Sequence, residues 1–222
     1  MVARKAADGA GLPAHEQVYR QLRDMILFGD LAPGQAVTIQ GLVEATGAGM
    51  TPVREALRRL TAEGALDMAG NRRVSVPVLS AGNLDEMIHA RSALDPELAR
   101  RACLNATPGD IAVLAAEDAR LDAAILRGDV SGYLRHNYLF HAELYDLARA
   151  PILRDLAMGL WLRFGPSLRV ICGRMGTSSL PDQHAAALTA LRNGDAEAAA
   201  AAIRADVVQG MEQVRAALPA EG

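Results

Sequence analysis

Between Thr38 and Val78, capping and turn residues fall so close together that only short elements fit between them. Thr38 caps a helix over Ile39 to Thr46, which Gly47 to Gly49 end. Thr51-Pro52 opens the next helix, with the hydroxyl as N-cap and the proline at the first helical position. That helix runs to Glu63 and stops at Gly64, and its inner face is Val53, Ala56, Leu57 and Leu60. Ala65 to Met68 and the β-branched run Val74 to Val78 flank a Gly70-Asn71 turn, the pattern of a two-stranded hairpin. Upstream, Val18, Leu22, Met25 and Ile26 recur at three-and-four spacing between His15 and Phe28. Gly29-Asp30 closes that helix, and Pro33-Gly34 makes a turn. Helix, helix, tight turn, helix, hairpin over residues 12–78 predicts a winged helix-turn-helix domain after a flexible leader, 1–11.

Beyond a linker at 79–82 the pattern is helical throughout, so the chain reads as mainly α, with an antiparallel helical bundle over 83–222. Helices are predicted at 83–104, from Thr107-Pro108 to Leu126, at 130–149, at 151–172 with a bend at Gly165-Pro166, at 181–192 and at 196–217. Asn193-Gly194-Asp195 turns between the last two. No apolar run approaches the roughly 18 residues a membrane helix needs. Two cysteines, Cys103 and Cys172, are too few for a disulfide framework, which points to a reducing cytoplasm.

The net charge of −3 speaks against nucleic acid taken as a sum, but its distribution does not. Residues 1–78 hold nine Lys/Arg against eight Asp/Glu, and 79–222 hold fourteen against eighteen. Placement matters more. Arg54 and Arg58 stand one turn apart on the exposed face of the helix that starts at Thr51, and Arg72 and Arg73 sit at the hairpin tip. A helix that enters a major groove needs such donors; an ordinary solvated helix also carries surface arginines.

Polar residues interrupt the apolar stripes of the helical half. Asn137 and His141 lie among Leu134, Tyr138, Leu144 and Tyr145; His184 shares a face with Ala187, Leu188 and Leu191; Asp206 lies beside Ile203, Val207 and Gly210. Burying four polar groups costs several kcal/mol, about 2–7 for each left without a partner, unless they satisfy one another or bind something. Two imidazoles and a carboxylate make a three-ligand set for a divalent metal, with the Asn137 carbonyl oxygen as a fourth donor. The alternative is a set of hydrogen-bonded core histidines. Arg91 also interrupts a stripe, between Met87, Ile88, Leu94 and Leu98. It serves either as an internal salt bridge to Asp95 or as a clamp for an effector carboxylate. Tyr133 and Arg163 are further pocket candidates.

The runs LRDMILFGDLAPG and TPVREALRRLTAEGAL, followed by a hairpin, resemble the GntR family of bacterial regulators over residues 15–78. In FadR-type relatives, DNA contacts come from the start of the second helix, the start of the recognition helix and the wing tip. The resemblance carries these onto Gln40, Gly49, Met50, Thr51, Arg54 and Asn71. Gly49 stands where Ser or Thr is usual, Met50 replaces a customary arginine, and Gln40 replaces another reader, so the operator does not transfer. RSALDPELARRA, NYLFHAELYDLARAPIL and DQHAAALTALRNGDAEAAAAAIRADV resemble the all-helical FCD domain, in its shorter VanR-like branch. Many relatives bind a metal through an aspartate, a histidine four residues later and two more histidines. The matching positions here hold Asn137, His141, His184 and Asp206, with one carboxylate lost and another gained.

The resemblance implies a homodimeric repressor that binds a pseudo-palindromic double-stranded operator. A small carboxylate-bearing effector and a divalent metal, Zn2+ with Ni2+ or Mn2+ as alternatives, would control it. A metal-dependent hydrolase built on His141, His184 and Asp206 is the competing reading, although H-E-x-x-H and G-x-S-x-G are both missing. A third is an architectural DNA binder without an effector, whose helical core would be wholly apolar.

Overall fold

The computed structural model describes residues 12–68, 74–169 and 181–218. The chain divides into two compact units, Met1–Ile26 with Asp30–Val78, and Leu27–Gly29 with Leu79–Gly222.

The first unit contains α1 (Ala14–Leu27, whose last residue groups with the second unit), β1 (Ala36–Val37), α2 (Ile39–Thr46), α3 (Met50–Ala62), β2 (Asp67–Met68) and β3 (Val74–Ser75). The Thr38 hydroxyl accepts the Gly41 N–H at 3.0 Å and starts α2. Gly47 ends it at φ +65°, a left-handed conformation in which glycine escapes the Cβ clash. Gly64, at φ +73°, ends α3 in the same way, and the Ala65 N–H turns back to the Leu60 carbonyl at 2.9 Å.

The start of α3 differs from the sequence expectation. Gly49, not Thr51, is the N-cap, with no side-chain capping bond, and Thr51 is already inside the first turn. The glycine-rich connection lets the helix begin two residues earlier than a Thr51 cap would. A second difference is β1, which pairs antiparallel with β3 (Val37 opposite Val74) and makes the expected hairpin a three-stranded sheet in the order β1-β3-β2. Two residues after a Pro-Gly turn carry no readable alternation. The core side of α3 is Val53, Ala56, Leu57 and Leu60, all buried.

In the second unit the described helices are α4 (Ala81–Asn105), α5 (Pro108–Arg127), α6 (Val130–Leu147), α7 (Pro151–Phe164), α8 (Gln183–Asn193) and α9 (Ala196–Arg215). Nearly every start is marked by a short polar side chain that satisfies an otherwise orphaned N–H. Ser80 with Asn83, and Thr107 with Asp110, form reciprocal capping boxes, while Asp129, Asp182 and Asp195 cap α6, α8 and α9. The linker residues Ala81 and Gly82 belong to the first turn of α4. The helix expected over 151–172 ends at Phe164, and Gly165–Leu168 tighten into a 3-10 turn rather than a bend in a continuous helix. Pro166 has no N–H for an α-helical bond, which favours that break.

α4 lies along α9, α5 along α6, and α8 packs on α9. Leu114, Phe140, Leu144, Leu188, Leu191 and Ile203 bury their side chains where these helices meet. Many core positions are alanine, so the backbones come close and a polar group inside has little solvent to fall back on. No described helix is long and apolar enough to cross a membrane.

Asp129→Ala removes the acceptor that meets the Gly132 N–H at 2.8 Å and caps α6. Urea denaturation should show about 1 kcal/mol of lost stability; an unchanged midpoint would mean the cap contributes nothing.

Candidate functional site

On α3, Thr51, Arg54 and Arg58 are exposed, as is Gln40 on α2. Among the described residues Arg54 makes no ion pair, so its guanidinium is available to a ligand. Arg58 holds Glu55 at 2.7 Å, and Gln40 donates to Glu44 at 3.2 Å. Arg59, also exposed, is committed within the unit: it pairs with Glu16 at 2.8 Å and Glu63 at 3.0 Å, and its guanidinium lies 3.6 Å over the Tyr19 ring. Burial and the Glu63 carboxylate push the Tyr19 hydroxyl up to about 12, so it stays a donor to Glu63. Asn71, Arg72 and Arg73 lie outside the described residues.

In the helical unit, three of the four expected ligands converge. His141 comes from the middle of α6, His184 from the first turn of α8 and Asp206 from the middle of α9. His141 Nε2 lies 3.1 Å from Asp206 Oδ2, His184 Nε2 lies 3.6 Å from Asp206 Oδ1, and the two Nε2 atoms are 3.4 Å apart. Zinc bonds of about 2.0–2.1 Å in tetrahedral geometry put donor atoms roughly 3.3 Å apart; the two Nε2 atoms stand at that spacing, and Asp206 turns one oxygen toward each. The ring stacked on His184 is Phe140, with centroids 3.9 Å apart and planes 11° from parallel.

Asp118 on α5 decides the His184 tautomer. Its Oδ1 accepts from His184 Nδ1 at 3.0 Å. A carboxylate only accepts, so Nδ1 carries the proton and neutral His184 presents a lone pair at Nε2. A carboxylate–histidine pair of this kind orients metal-binding imidazoles generally. His141 Nδ1 meets the Tyr145 hydroxyl at 3.4 Å.

The electrostatics favour a cation at the convergence. Burial lowers the His141 pKa and keeps the ring neutral despite Asp206. Burial works against the charged form of His184 too, but Asp206 and Asp118 outweigh it and the pKa is raised. For Asp206, burial opposes ionisation, yet His184, His141 and Arg91 hold the carboxyl well below the usual carboxylate range. The donor set therefore fits a divalent ion: one carboxylate, two imidazole nitrogens and an outer carboxylate that fixes one of them.

A cavity of about 280 Å3 opens beside this trio, and His184, Asp206, Asn137 and Tyr133 line it. Asn137 is 8% exposed, and its amide has no hydrogen-bond partner among the described residues. The other two effector residues expected from sequence lie elsewhere. Arg91 is buried under Phe164 at 4.2 Å and Trp161 at 5.1 Å, with its Nη2 2.6 Å from Asp95 Oδ2. It takes the internal salt bridge of the two roles open to it and is not among the cavity's lining residues. Arg163 is exposed near the end of α7, also away from the lining. An arginine that breaks an apolar stripe reads the same whether its partner is a ligand or an acid one turn on; here the acid, Asp95, is within reach.

Sequence reasoning missed Asp118. The signal was present, because Asp118 falls four residues after Leu114 and three before Leu121, on the buried stripe of α5. Asp122 and Asp182, also lining the cavity, carry no such signal, since both are exposed.

Comparison with known proteins decides the family. The pattern of the bacterial regulatory proteins of the gntR family matches residues 14–76, and that of the FCD domain matches residues 86–209. The chain belongs to the GntR family of regulators with an FCD domain. It is 34% identical over 155 residues to the HTH-type transcriptional regulator McbR of Escherichia coli (strain K12), covering 70% of each chain. The solved structure of E. coli McbR/YncC is similar with a TM-score of 0.84 at 29% identity, over 93% of this chain and 99% of that one. A GntR regulator structure from Rhodococcus sp. RHA1 shares the fold, with a TM-score of 0.76 at 22% identity, over 92% of this chain and 99% of that one. The GntR/FCD relatives are transcriptional regulators, not enzymes, and the hydrolase reading is dropped.

Asp118→Asn keeps the shape of the outer partner but removes its charge. Metal affinity, measured by competition with a chelating dye, should fall about 10–100-fold. Unchanged affinity would show that His184 needs no such orientation.

Proposed function

We propose that this regulator is a repressor whose affinity for its operator is set by a small molecule that enters the cavity beside a metal held in the FCD domain. The observation that carries this reading is the convergence of His141, His184 and Asp206 on one point, with His184 and Asp206 in the cavity wall beside it. His141, His184 and Asp206 hold the metal, Zn2+ with Ni2+ or Mn2+ as alternatives. The Asn137 carbonyl, in the same wall, is at most a weak additional donor. When bound, the metal supplies a Lewis-acidic centre that accepts an oxygen or nitrogen donor from the entering molecule. Asp118 holds the His184 ring in place, and Phe140 covers one face of it.

At the other end of the chain, α3 lies in the major groove. Arg54 and Thr51 make the first contacts, Gln40 and Arg58 lie at the flanks, and Asn71, Arg72 and Arg73 of the wing reach the backbone or minor groove. A homodimer presents two such helices to a pseudo-palindromic site in cytoplasmic DNA. The small molecule acts by binding the DNA-competent and DNA-incompetent states with unequal affinity. Of the polar quartet, the polar cavity is what disfavours a purely architectural binder.

Arg54→Ala should cost about 1–3 kcal/mol of operator binding in fluorescence anisotropy at fixed salt, with unchanged thermal unfolding. His184→Ala should leave DNA binding intact but abolish metal retention; retained DNA affinity in the first variant, or full metal occupancy in the second, overturns the corresponding assignment. Stripping the metal with a chelator should lower the melting temperature by on the order of 5–10 °C, since a ligand at about 100 times its dissociation constant adds roughly 2.7 kcal/mol. Identical melting curves with and without chelator would remove the metal from the account.

A further inference from the structure

The cavity beside the metal trio is lined by four carboxylates, Asp118, Asp122, Asp182 and Asp206, and by no lysine or arginine among the described residues. Asp118, Asp122 and Asp182 each bring a carboxylate oxygen within 4.8 Å of the others. Asp118 comes from the buried stripe of α5, Asp122 from one turn later, and Asp182 from the cap of α8. Asp118 accepts from His184, Asp182 accepts the Ala185 N–H at 2.9 Å, and burial together with the Asp118 and Asp182 carboxylates raises the Asp122 pKa. Three like charges at that spacing repel one another, and the metal does not relieve them. A divalent ion on two neutral imidazoles and Asp206 adds a single net positive charge and leaves three carboxylates facing the same space.

The second observation is independent of charge. The Asn137 amide, 8% exposed and in the cavity wall, lacks a hydrogen-bond partner among the described residues. That amide is open to the cavity, where it offers both a donor and an acceptor to an occupant. A bare hard cation explains the occupant less well. Such ions take six to eight oxygens, one oxygen of Asp118 is already committed to His184, and a cavity of about 280 Å3 is far larger than an ion. That volume is at the low end of small-molecule sites.

Resting on the effector reading above, we propose that the effector carries a cationic nitrogen, an ammonium or guanidinium, seated among Asp118, Asp122 and Asp182, while Asn137 bonds its polar body. The carboxylate clamp expected at Arg91 has no counterpart in this wall. A simple organic acid meets three carboxylates on entering, whereas an amine is drawn in and held.

The test uses the full chain loaded with zinc, titrated calorimetrically with 1,4-diaminobutane, agmatine, succinate and calcium chloride. At least one of the two amines should bind, and more tightly than succinate. The double variant Asp122→Asn, Asp182→Asn should weaken that binding tenfold or more. Asn is itself a good N-cap, and both positions are exposed, so fold and zinc content should persist. Asn137→Leu, compared at equal zinc content, should weaken amine binding. Binding of succinate with both amines inert, equal amine affinity in the double variant, or saturation by calcium alone overturns the cationic class. Zinc content separates the two claims: a wild-type chain that fails to hold zinc defeats the metal-site reading, while zinc held with both amines inert defeats only the cationic effector.

Discussion

In a bundle built largely from alanine and leucine, a buried charge is tolerated only where another group answers it, and the centre of the helical unit is organised around that demand. Asp206 brings a carboxylate to the wall of the core, two imidazoles meet it, and Asp118 answers one of those imidazoles from the far side. Remove any member and a neighbour is left with an unsatisfied buried group, which costs more than an ordinary hydrogen bond returns. α5, α6, α8 and α9 each supply one member, so this polar chain ties together four helices that short loops alone would leave free to slide.

The same demand accounts for Arg91. A fully buried guanidinium needs an anion and a covering surface; Asp95 supplies the first one helical turn away, and Phe164 and Trp161 supply the second. Arg91 does not line the cavity, and its positive charge acts there by helping to hold Asp206 ionised. The DNA-binding unit separates its arginines by a similar logic. Arg59 is consumed by Glu16, Glu63 and the Tyr19 face, and so fixes α3 to α1, while Arg54 on the outer side is left for a partner. Arg54 and Arg59, five positions apart on one basic helix, do different work because about 100° per residue sets them roughly 140° apart around its axis.

Much of this was legible in the chain. The Thr38 cap, the Gly47 and Gly64 terminators and the inner face of α3 follow from local rules and stand as read. His141, His184 and Asp206 were visible as polar breaks in apolar stripes and do converge. What failed did so for physical reasons. Strand β1 is two residues long and exists only because β3 offers it a partner. Thr51 lost the cap to Gly49 because a flexible glycine turn let the helix start earlier. Asp118 sat on a buried stripe that was read for its apolar residues and not for the acid among them.

The sequence by itself determined where helices begin and end, which face of each is apolar and which polar residues interrupt those faces, because caps, breakers and periodicity act within a few residues. Which interruptions meet was decided only by the tertiary structure. Asp118 and His184 are 66 positions apart, and their 3.0 Å bond depends on how α5 and α8 pack. The sign of the cavity was likewise hidden, since it depends on which charged side chains share one small volume. Arg91 turned to an acid on its own helix, Asp122 and Asp182 turned to the cavity, and nothing local distinguishes those two outcomes.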